Sequence, residues 1–456
     1  MKISEARNFI KNNLRKIEVD RPAFFSILSK AWLIITGPIT IILIIIKFSP
    51  ELQGYYYTFS TLLALQVFVE LGLGVVIIQF ASHEWSRLSI TEKGFIAGSE
   101  EALSRLGSLA RLSLRWYAVG AAFLILFLGI GGYVFFLESQ KSGISWVFPW
   151  FSLCFLTGIN LCLAPIWSLL EGCNQLAELY FFKFWQGLLV NLSIWIAILS
   201  GAGLFALSVS SIMFLACGLF FIKYKYWYFF RSLFFLNAKG PRIKWYKDIF
   251  PMQWRIAVSW VGGYFVFSLF TPVLFKFHGS VVAGQMGMTW NLVGIVIWIS
   301  SAWLAPKIPR FGMLIAKKDY ETLDKLFFKM TRVVLIVSVI LGLSIWFGIF
   351  LLYNFHSKFA VRFLPPLTVA IFLLAQIIVS VSLPASGYLR AHKKEPLVFL
   401  SVMAGALIGG LTIILGKYYS AAGVAMGYLI VNIIIIPLVF VTWQYCRISW
   451  HSNLKG

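Results

Sequence analysis

Runs of about 20 apolar residues recur along the whole sequence, and charged side chains lie mostly between the runs. A helix of this length crosses a bilayer, and hydrocarbon offers no other partner for the backbone N–H and C=O groups of an isolated segment. The pattern predicts an all-α polytopic membrane protein with about 12 transmembrane helices. The predicted spans are residues 24–46, 56–80, 115–136, 146–170, 179–200, 202–222, 254–276, 283–306, 332–353, 364–387, 397–416 and 420–445.

The composition excludes a soluble protein of this length. Of 456 residues, 60% are hydrophobic and 12% are charged, which leaves too little polar surface for a soluble fold. The first apolar run is predicted to be a span rather than a cleaved signal peptide, because it is long and lacks a small-x-small cleavage pattern. The five cysteines form no C-x-x-C pair and the five histidines show no ligand spacing, so neither a metal site nor a cofactor is expected.

The distribution of charge predicts the orientation in the membrane. A formal net charge of +22 would suit a nucleic-acid partner, but the basic residues are not spread evenly. With the N-terminus in the cytoplasm, 32 Lys and Arg residues fall on the cytoplasmic side and 6 on the opposite side. This bias follows the positive-inside rule. We therefore predict a multi-pass protein with both termini cytoplasmic and no nucleic-acid partner. Two cytoplasmic connections, residues 81–114 and 307–331, are predicted to carry amphipathic surface helices.

The two halves of the chain resemble each other. KFSPELQGYYY, from Lys47, follows the first predicted span, and KFHGSVVAGQM, from Lys276, follows the seventh. Each has a glycine six or seven residues after its Phe. Six spans return the chain to the cytoplasm, so two such repeats have the same orientation, and carriers of this kind enclose a central cavity between their halves. We predict two six-helix bundles, at residues 1–222 and 254–456, joined by a cytoplasmic linker at residues 223–253.

A carboxylate stands inside the predicted second span. Glu70 is the only charged residue in the range 52–83, and Gly72 and Gly74 follow it. A charge at that depth costs about 3 kcal/mol even on insertion scales, so it usually faces a bundle interior or a wet cavity. Lys30 lies at a similar depth in the first span, and we predict that it forms an ion pair with Glu70. The alternatives are a direct role of Lys30 in binding phosphate, and a Lys30 that extends to the membrane surface.

Three longer segments carry a resemblance to a known family. SPELQGYYYTFSTLLALQVFVELGLGVVIIQFASHEW covers the turn after span one, a Gly before an aromatic run, and ELGLG within span two. PRFGMLIAKKDYETLDKLFFKMTR follows span eight, and LPASGYLRAHKKEP joins spans ten and eleven. Through these segments the sequence resembles the polysaccharide-export branch of the multidrug/oligosaccharidyl-lipid/polysaccharide exporter (MOP) superfamily. This branch contains the bacterial O-antigen and exopolysaccharide flippases, and the resemblance covers nearly the whole chain.

The resemblance implies a function and a location. It implies a carrier in the bacterial cytoplasmic (inner) membrane that moves an undecaprenyl-pyrophosphate-linked oligosaccharide to the outer leaflet. The implied partners are membrane lipids, the lipid-linked oligosaccharide and other membrane proteins of polysaccharide assembly. The branch has no fixed motif from which functional residues can be transferred to this sequence.

Further polar residues inside the predicted spans are candidates for substrate binding or gating. Arg255, at the cytoplasmic start of span seven, occupies the repeat position nearest to span one, and its alternative role is that of a membrane anchor. Side-chain amides can bond sugar hydroxyls, although amides inside spans also simply bridge helices. The candidate amides are Asn160, Asn191, Asn291 and Gln376.

Two other functions compete with the flippase. A membrane glycosyltransferase or polymerase needs acidic groups at the outer face for base or metal chemistry. The predicted outer loops offer only Glu51 and Glu138, so no enzyme activity is expected. A cation-coupled drug or metabolite antiporter of the same fold needs acidic residues inside the membrane. Glu70 is the one deep candidate, which makes the antiporter the alternative function.

Overall fold

The described part of the chain is almost entirely helical. The computed structural model describes residues 21–137, 143–235, 240–304, 307–392 and 394–452. Its regular elements, in chain order, are α1 (Arg21–Lys47), α2 (Pro50–Leu63), α3 (Val67–Glu70), α4 (Leu73–Trp85), β1 (Leu88–Ile90), β2 (Ile96–Gly98), α5 (Glu100–Leu137), α6 (Val147–Leu161), α7 (Ala164–Gly172), α8 (Leu176–Leu199), α9 (Phe205–Lys225), α10 (Trp227–Phe235), α11 (Phe250–Phe267), α12 (Phe270–Leu304), α13 (Ile308–Ala316), α14 (Tyr320–Asn354), α15 (Pro366–Ala391) and α16 (Val398–Ser452).

The helices are long and apolar enough for a membrane. Among the described residues eight helices can cross a bilayer by length and composition, and a bent pair, Pro50–Glu70 with Leu73–Trp85, raises the number to nine. Every predicted span overlaps a helix of the structure. The prediction of an all-α polytopic membrane protein is thus confirmed.

The longest helix, α16, folds back on itself and contains two of the predicted spans. Its 55 residues would extend about 80 Å as one straight helix. Ser420 interrupts it with a φ of 54° and a ψ of −147°. A Cβ atom placed on Gly423 would lie 2.2 Å from the Leu415 carbonyl oxygen, so the segments on either side of Ser420 pack together. This turn separates the predicted spans 397–416 and 420–445.

A second fold-back lies in α12. Gly279 has a φ of 87° and a ψ of 178°, which is not helical. The ring centroids of Phe270 and Trp290 are 4.8 Å apart, whereas about 30 Å of axial rise would separate them in a straight helix. The chain therefore reverses near Gly279, between the predicted spans seven and eight.

The helices pack as two compact units, each drawn from several segments of the chain. Of the described residues, unit 1 holds those up to 47 and those within 66–134 and 145–257. Unit 2 holds the described residues within 48–65, 135–144 and from 258 onward. The division into bundles at 1–222 and 254–456 with a linker at 223–253, and the central cavity, stay predictions.

The connection between α4 and α5 contains a β-hairpin that the sequence analysis did not foresee. β1 and β2 are antiparallel, with Leu88 opposite Gly98. The amphipathic helix predicted in this connection, over SEEALSRLGSLARLSLRW from Ser99, forms from Glu100 onward and continues without interruption into the third predicted span. The hairpin lies before this helix, and Gly94, with a φ of 82°, supplies the turn between its two strands.

The described residues of the segment predicted as a linker, 223–253, pack within unit 1. The Phe95 ring of the hairpin lies 5.0 Å from the Tyr228 ring of α10, measured between centroids. The Ile96 backbone N–H donates to Ser232 Oγ over 3.3 Å. Further along, the Ile243 backbone N–H donates to a hydroxyl of α5 over 2.9 Å. These contacts join the segment to the hairpin and to α5.

Candidate functional site

The second predicted span is broken beside its carboxylate. α3 ends at Glu70, and the next two residues, Leu71 and Gly72, have left-handed backbone angles, with φ values of 42° and 68°. The helical segments before and after this point are inclined by 44°. A left-handed leucine costs about 1–2 kcal/mol, so tertiary contacts must hold the break in place. Broken helices at membrane depth are found where backbone is buried in protein or lines a cavity.

Close packing from α5 and α11 fixes the break. A Cβ atom on Gly72 would lie 2.2 Å from Ile256 Cγ2 of α11. A Cβ atom on Gly120 of α5 would lie 2.2 Å from Val69 Cγ1. A Cβ atom at either position would force the Ile256 or the Val69 side chain to shift, and at Gly72 the left-handed φ of 68° favours glycine as well. Gly72, which the sequence analysis noted beside the carboxylate, makes a close approach to a neighbouring helix.

An indole bonds the backbone at the break. Trp116 Nε1 of α5 donates to the Val69 carbonyl oxygen over 2.9 Å. The Trp116 ring is in turn stacked on Trp245, with centroids 4.8 Å apart and planes 14° from parallel. Glu70 itself is half-buried and lies close enough to Tyr117 for an electrostatic interaction.

The side chains of the two candidate cations, Lys30 and Arg255, lie outside the described part of the structure. Lys30 lies in α1 and Arg255 in α11. Their backbones are helical as expected, whereas the ion pair between Lys30 and Glu70 and the role of Arg255 stay predictions.

The four candidate amides are distributed over both units, and each makes a bond within the protein. In unit 1, Asn160 Nδ2 donates to the Ser211 carbonyl over 3.1 Å, and Asn191 Nδ2 donates to the carbonyl of residue 187 over 2.7 Å. In unit 2, the buried Gln376 accepts the Tyr428 hydroxyl over 3.0 Å at Oε1. Asn291 is exposed and its side chain bonds Tyr57. A role in sugar binding stays a prediction for all four.

A second polar site, which the sequence analysis did not identify as such, lies where α2 crosses α12 within unit 2. A Cβ atom on Gly54 would lie 1.8 Å from the Ser280 carbonyl oxygen, and one on Gly284 would lie 2.8 Å from the Gly54 nitrogen. Beside this contact the buried Gln53 donates through Nε2 to the Gly284 carbonyl over 2.8 Å and to the Arg362 carbonyl over 3.1 Å. The signal was present, since Gly54 and Gly284 are the glycines of the two repeat segments.

A groove of about 670 Å³ lies between α8 and α9 in unit 1. Apolar and aromatic side chains line most of it, and an ion pair, Lys225 Nζ to Glu178 Oε2 at 2.6 Å, closes one end. Trp185 and Phe220 on its walls are 47% and 62% exposed, so this groove opens away from the protein core.

Comparison with protein-family models gives no match, and comparison with curated proteins gives none either. Solved structures do match over most of the chain. One is described as an inward-facing multidrug resistance MATE family transporter of the MOP superfamily, with 13% identity, a TM-score of 0.63, and 89% of this chain and 95% of that chain covered. The lipid II flippase MurJ in an inward closed conformation matches with 16% identity, a TM-score of 0.61 and coverages of 93% and 87%.

A third match is the MATE multidrug transporter DinF-BH, with 16% identity, a TM-score of 0.62, and 95% of each chain covered. Identities this low establish the fold and leave the substrate open. The chain therefore has the fold shared by the MATE and MurJ transporters of the MOP superfamily.

Proposed function

We propose that this protein is a membrane transporter that flips a lipid-linked oligosaccharide across the bacterial cytoplasmic membrane for surface polysaccharide biosynthesis. The observation that carries the proposal is the broken second span, with Glu70 at the break, in a fold shared with MOP-superfamily transporters. Transporters of several folds place discontinuous helices at their binding sites, because the freed backbone groups and half-helix ends can meet a polar substrate or ion.

The proposed substrate is linked to undecaprenyl pyrophosphate. Each sugar hydroxyl left unpaired in hydrocarbon costs a few kcal/mol, so an unaided oligosaccharide crosses a bilayer negligibly slowly. The pyrophosphate is anionic and requires cations along its route. The proposed cations are Lys30, predicted at a depth similar to that of Glu70, and Arg255, on the helix whose Ile256 contacts the break. The excess of basic residues on the predicted cytoplasmic side favours collection of an anionic lipid there.

The second candidate function is cation-coupled export of drugs or metabolites. Glu70 favours it, since a half-buried intramembrane carboxylate is suited to exchange a proton or to bind sodium. Both candidate functions are transport without chemical change of the substrate, and neither assigns an enzyme activity to the chain.

Reconstituted transport tests the proposal. The purified protein in vesicles is expected to speed the exposure of a fluorescent undecaprenyl-pyrophosphate oligosaccharide at the far leaflet. Replacing Lys30 and Arg255 together by Gln is expected to slow that exposure more than Arg332→Gln, the control. Arg332 lies at the predicted cytoplasmic start of the span 332–353, where an arginine is expected to anchor the helix at the membrane surface.

Cells lacking the protein provide the second arm. They are expected to make the lipid-linked oligosaccharide but keep it in the inner leaflet, with normal sugar transfer in membrane extracts. Altered drug or dye efflux with intact surface polysaccharide would instead establish the antiporter. Missing sugar transfer in the extracts would contradict both transport functions.

A further inference from the structure

The break in the second span leaves a backbone carbonyl without its regular helical partner. In an uninterrupted helix the Val69 carbonyl would accept the N–H four residues later, beyond Gly72. The left-handed turn at Leu71 and Gly72 intervenes, and the described bond to this carbonyl comes from the Trp116 indole at 2.9 Å. An unpaired carbonyl in hydrocarbon costs several kcal/mol. The indole therefore supplies a hydrogen bond that the break itself requires.

The ring that supplies this bond is held by a second indole. Trp245 lies parallel to Trp116, with 4.8 Å between ring centroids and 14° between planes. Trp245 opens a short π-helical turn, Trp245–Ile249, that leads into α11. The preceding backbone is itself fixed to α5, through the Ile243 N–H and Ser108 Oγ at 2.9 Å. Trp116 is therefore clamped between the break and a segment anchored on its own helix.

The same short stretch of chain reaches the break a second time. Eleven residues after Trp245, Ile256 fills the space beside Gly72, so closely that a Cβ there would lie 2.2 Å from Ile256 Cγ2. The stretch 245–256 thus meets one side of the break through Trp116 and the other side directly. A shift of this stretch necessarily acts on Val69 and Gly72, the residues on either side of Glu70 and Leu71.

We propose that Trp116 and Trp245 are positioning residues for Glu70. The stacked indoles transmit the position of the stretch 245–256 to the Val69 carbonyl, and so fix the left-handed turn that orients the Glu70 carboxylate. The indole pair itself touches no substrate. Its importance for transport rests on the proposed function, whereas its effect on Glu70 is independent of that function.

Chemical labelling of Glu70 tests the indole pair. The full-length protein in lipid vesicles is treated with dicyclohexylcarbodiimide at fixed pH, and the modified Glu70 peptide is quantified over time by mass spectrometry, with Glu70→Gln as the blank. Trp116→Phe keeps an aromatic ring but removes the N–H donor. Trp245→Ala removes the ring that stacks on Trp116. Both are expected to label faster than the parent by roughly two- to tenfold, the range that corresponds to the loss of one net hydrogen bond.

Two controls make the result specific. Trp245→Phe keeps a stacking ring and is expected to label close to the parent rate. Trp195→Phe removes a matched indole hydrogen bond in unit 1, from Trp195 Nε1 to Thr40 Oγ1 at 2.9 Å, and is expected to leave the rate unchanged.

The outcomes separate the two proposals. Parent-like labelling in both Trp116→Phe and Trp245→Ala overturns the positioning role, and so does an equal increase in Trp195→Phe. If Trp245→Ala fails to yield a monodisperse protein, Trp116→Phe alone decides. Altered labelling together with a parent protein that moves no oligosaccharide retains the indole pair and removes the flippase.

Discussion

At the scale of single residues, Glu84 shows how this chain stabilises a buried charge. Its side chain is 1% exposed, and two arginines bond its two oxygens. Arg105 Nε donates to Oε1 over 2.6 Å, and Arg87 Nη2 donates to Oε2 over 3.0 Å. Through these bonds the last turn of α4 is tied to α5 and to the start of the hairpin. One arginine partner of Glu84 is three residues away and the other is 21 residues away. No local sequence pattern therefore distinguishes Glu84 from an acidic residue on the surface.

Replacing Glu84 by Gln is expected to destabilise the protein by about 1–3 kcal/mol, because two charge-assisted hydrogen bonds are weakened while Arg87 and Arg105, 44% and 29% exposed, keep contact with solvent. The matched control is Glu321→Gln, which breaks an exposed pair with Lys325 whose side chains are 80% and 75% exposed. That change is expected to leave the stability nearly unchanged, because solvent screens an exposed ion pair. Thermal unfolding of both variants in the same detergent gives the comparison. Equal shifts in the two melting temperatures would contradict this account of Glu84.

Glu70 and Lys30 belong to the same scale. Neutralising either residue to Gln is expected to impair transport or assembly, because the partner is left unpaired in a medium of low dielectric constant. The exchange of Lys30→Glu with Glu70→Lys is expected to recover part of the loss. Vesicle transport and protein yield measure both effects. If both single changes prove silent, the ion pair has no role.

At the scale of elements, the junction of α15 and α16 is expected to respond to pH through His392. His392 lies just past the end of α15, donates through Nδ1 to the Tyr388 carbonyl over 3.0 Å, and buries its Nε2 without a partner among the described residues. Burial lowers the pKa of His392 below its usual value of 6.5, and the nearby Lys394 lowers this pKa further. The folded state thus resists protonation that the unfolded state accepts.

The sign follows from linkage. The stabilising contribution of His392 is fully present above pH 6.5, the pKa of the unfolded state, and is lost as pH falls toward the lower folded pKa. We expect His392→Gln to flatten the decline of the melting temperature between about pH 7.5 and pH 5. His356→Gln, at an exposed side chain, serves as the control and is expected to change the decline less. A decline that stays the same in His392→Gln would disprove the linkage.

The crossing of α2 and α12 is expected to tolerate no side chain. Gly54→Ala places a Cβ atom 1.8 Å from the Ser280 carbonyl oxygen, which is backbone and cannot rotate away. The helices must separate, at a cost of about 1–3 kcal/mol or more. Gly410→Ala in α16 meets nothing within 4 Å and is the control, with an expected effect of zero or a slight gain. Thermal unfolding distinguishes the two, and a silent Gly54→Ala would show that this crossing is loose.

The elements could be predicted from the sequence to different degrees. The membrane spans were predictable, because the thickness of the bilayer sets the length of an apolar run that crosses it. The break at Leu71 was not predictable, because leucine seldom adopts left-handed angles by itself. The contacts beside the break come from Ile256 and Trp116, which lie far along the chain. The hairpin at 88–98 was missed because its strands have only three residues each, too few for a clear alternation.

At the scale of the whole molecule, the charge bias makes orientation testable. Lys93, exposed at the hairpin, is predicted to be cytoplasmic, and Lys358, exposed after α14, is predicted to face outward. In a background without the five native cysteines, Lys358→Cys is expected to react with an impermeant maleimide in intact cells. Lys93→Cys is expected to react only after permeabilisation. The reverse pattern would invert the topology.

The candidate site was predictable in part for reasons that also operate at this scale. Glu70 stood out because a single charge in an apolar span costs free energy wherever the span lies. The Trp116–Trp245 pair gave no such signal, because 18 tryptophans are spread over the sequence and nothing local distinguishes two that meet. Gly54 and Gly284 were visible in the sequence as part of the repeat, but their contact with each other was not predicted.

The contact between Gly54 and Gly284 bears on how such a chain evolves. If the repeat segments descend from a duplicated gene, the ancestral six-span protein paired with its own copy, and a single glycine met itself across a twofold axis. One mutation there would change both sides of the interface at once. After fusion the two codons mutate separately, so the two sides of the crossing can differ. The chain shows such a difference, since Gln53 lies on one side of the crossing only. A homodimer of identical subunits could not become asymmetric in this way.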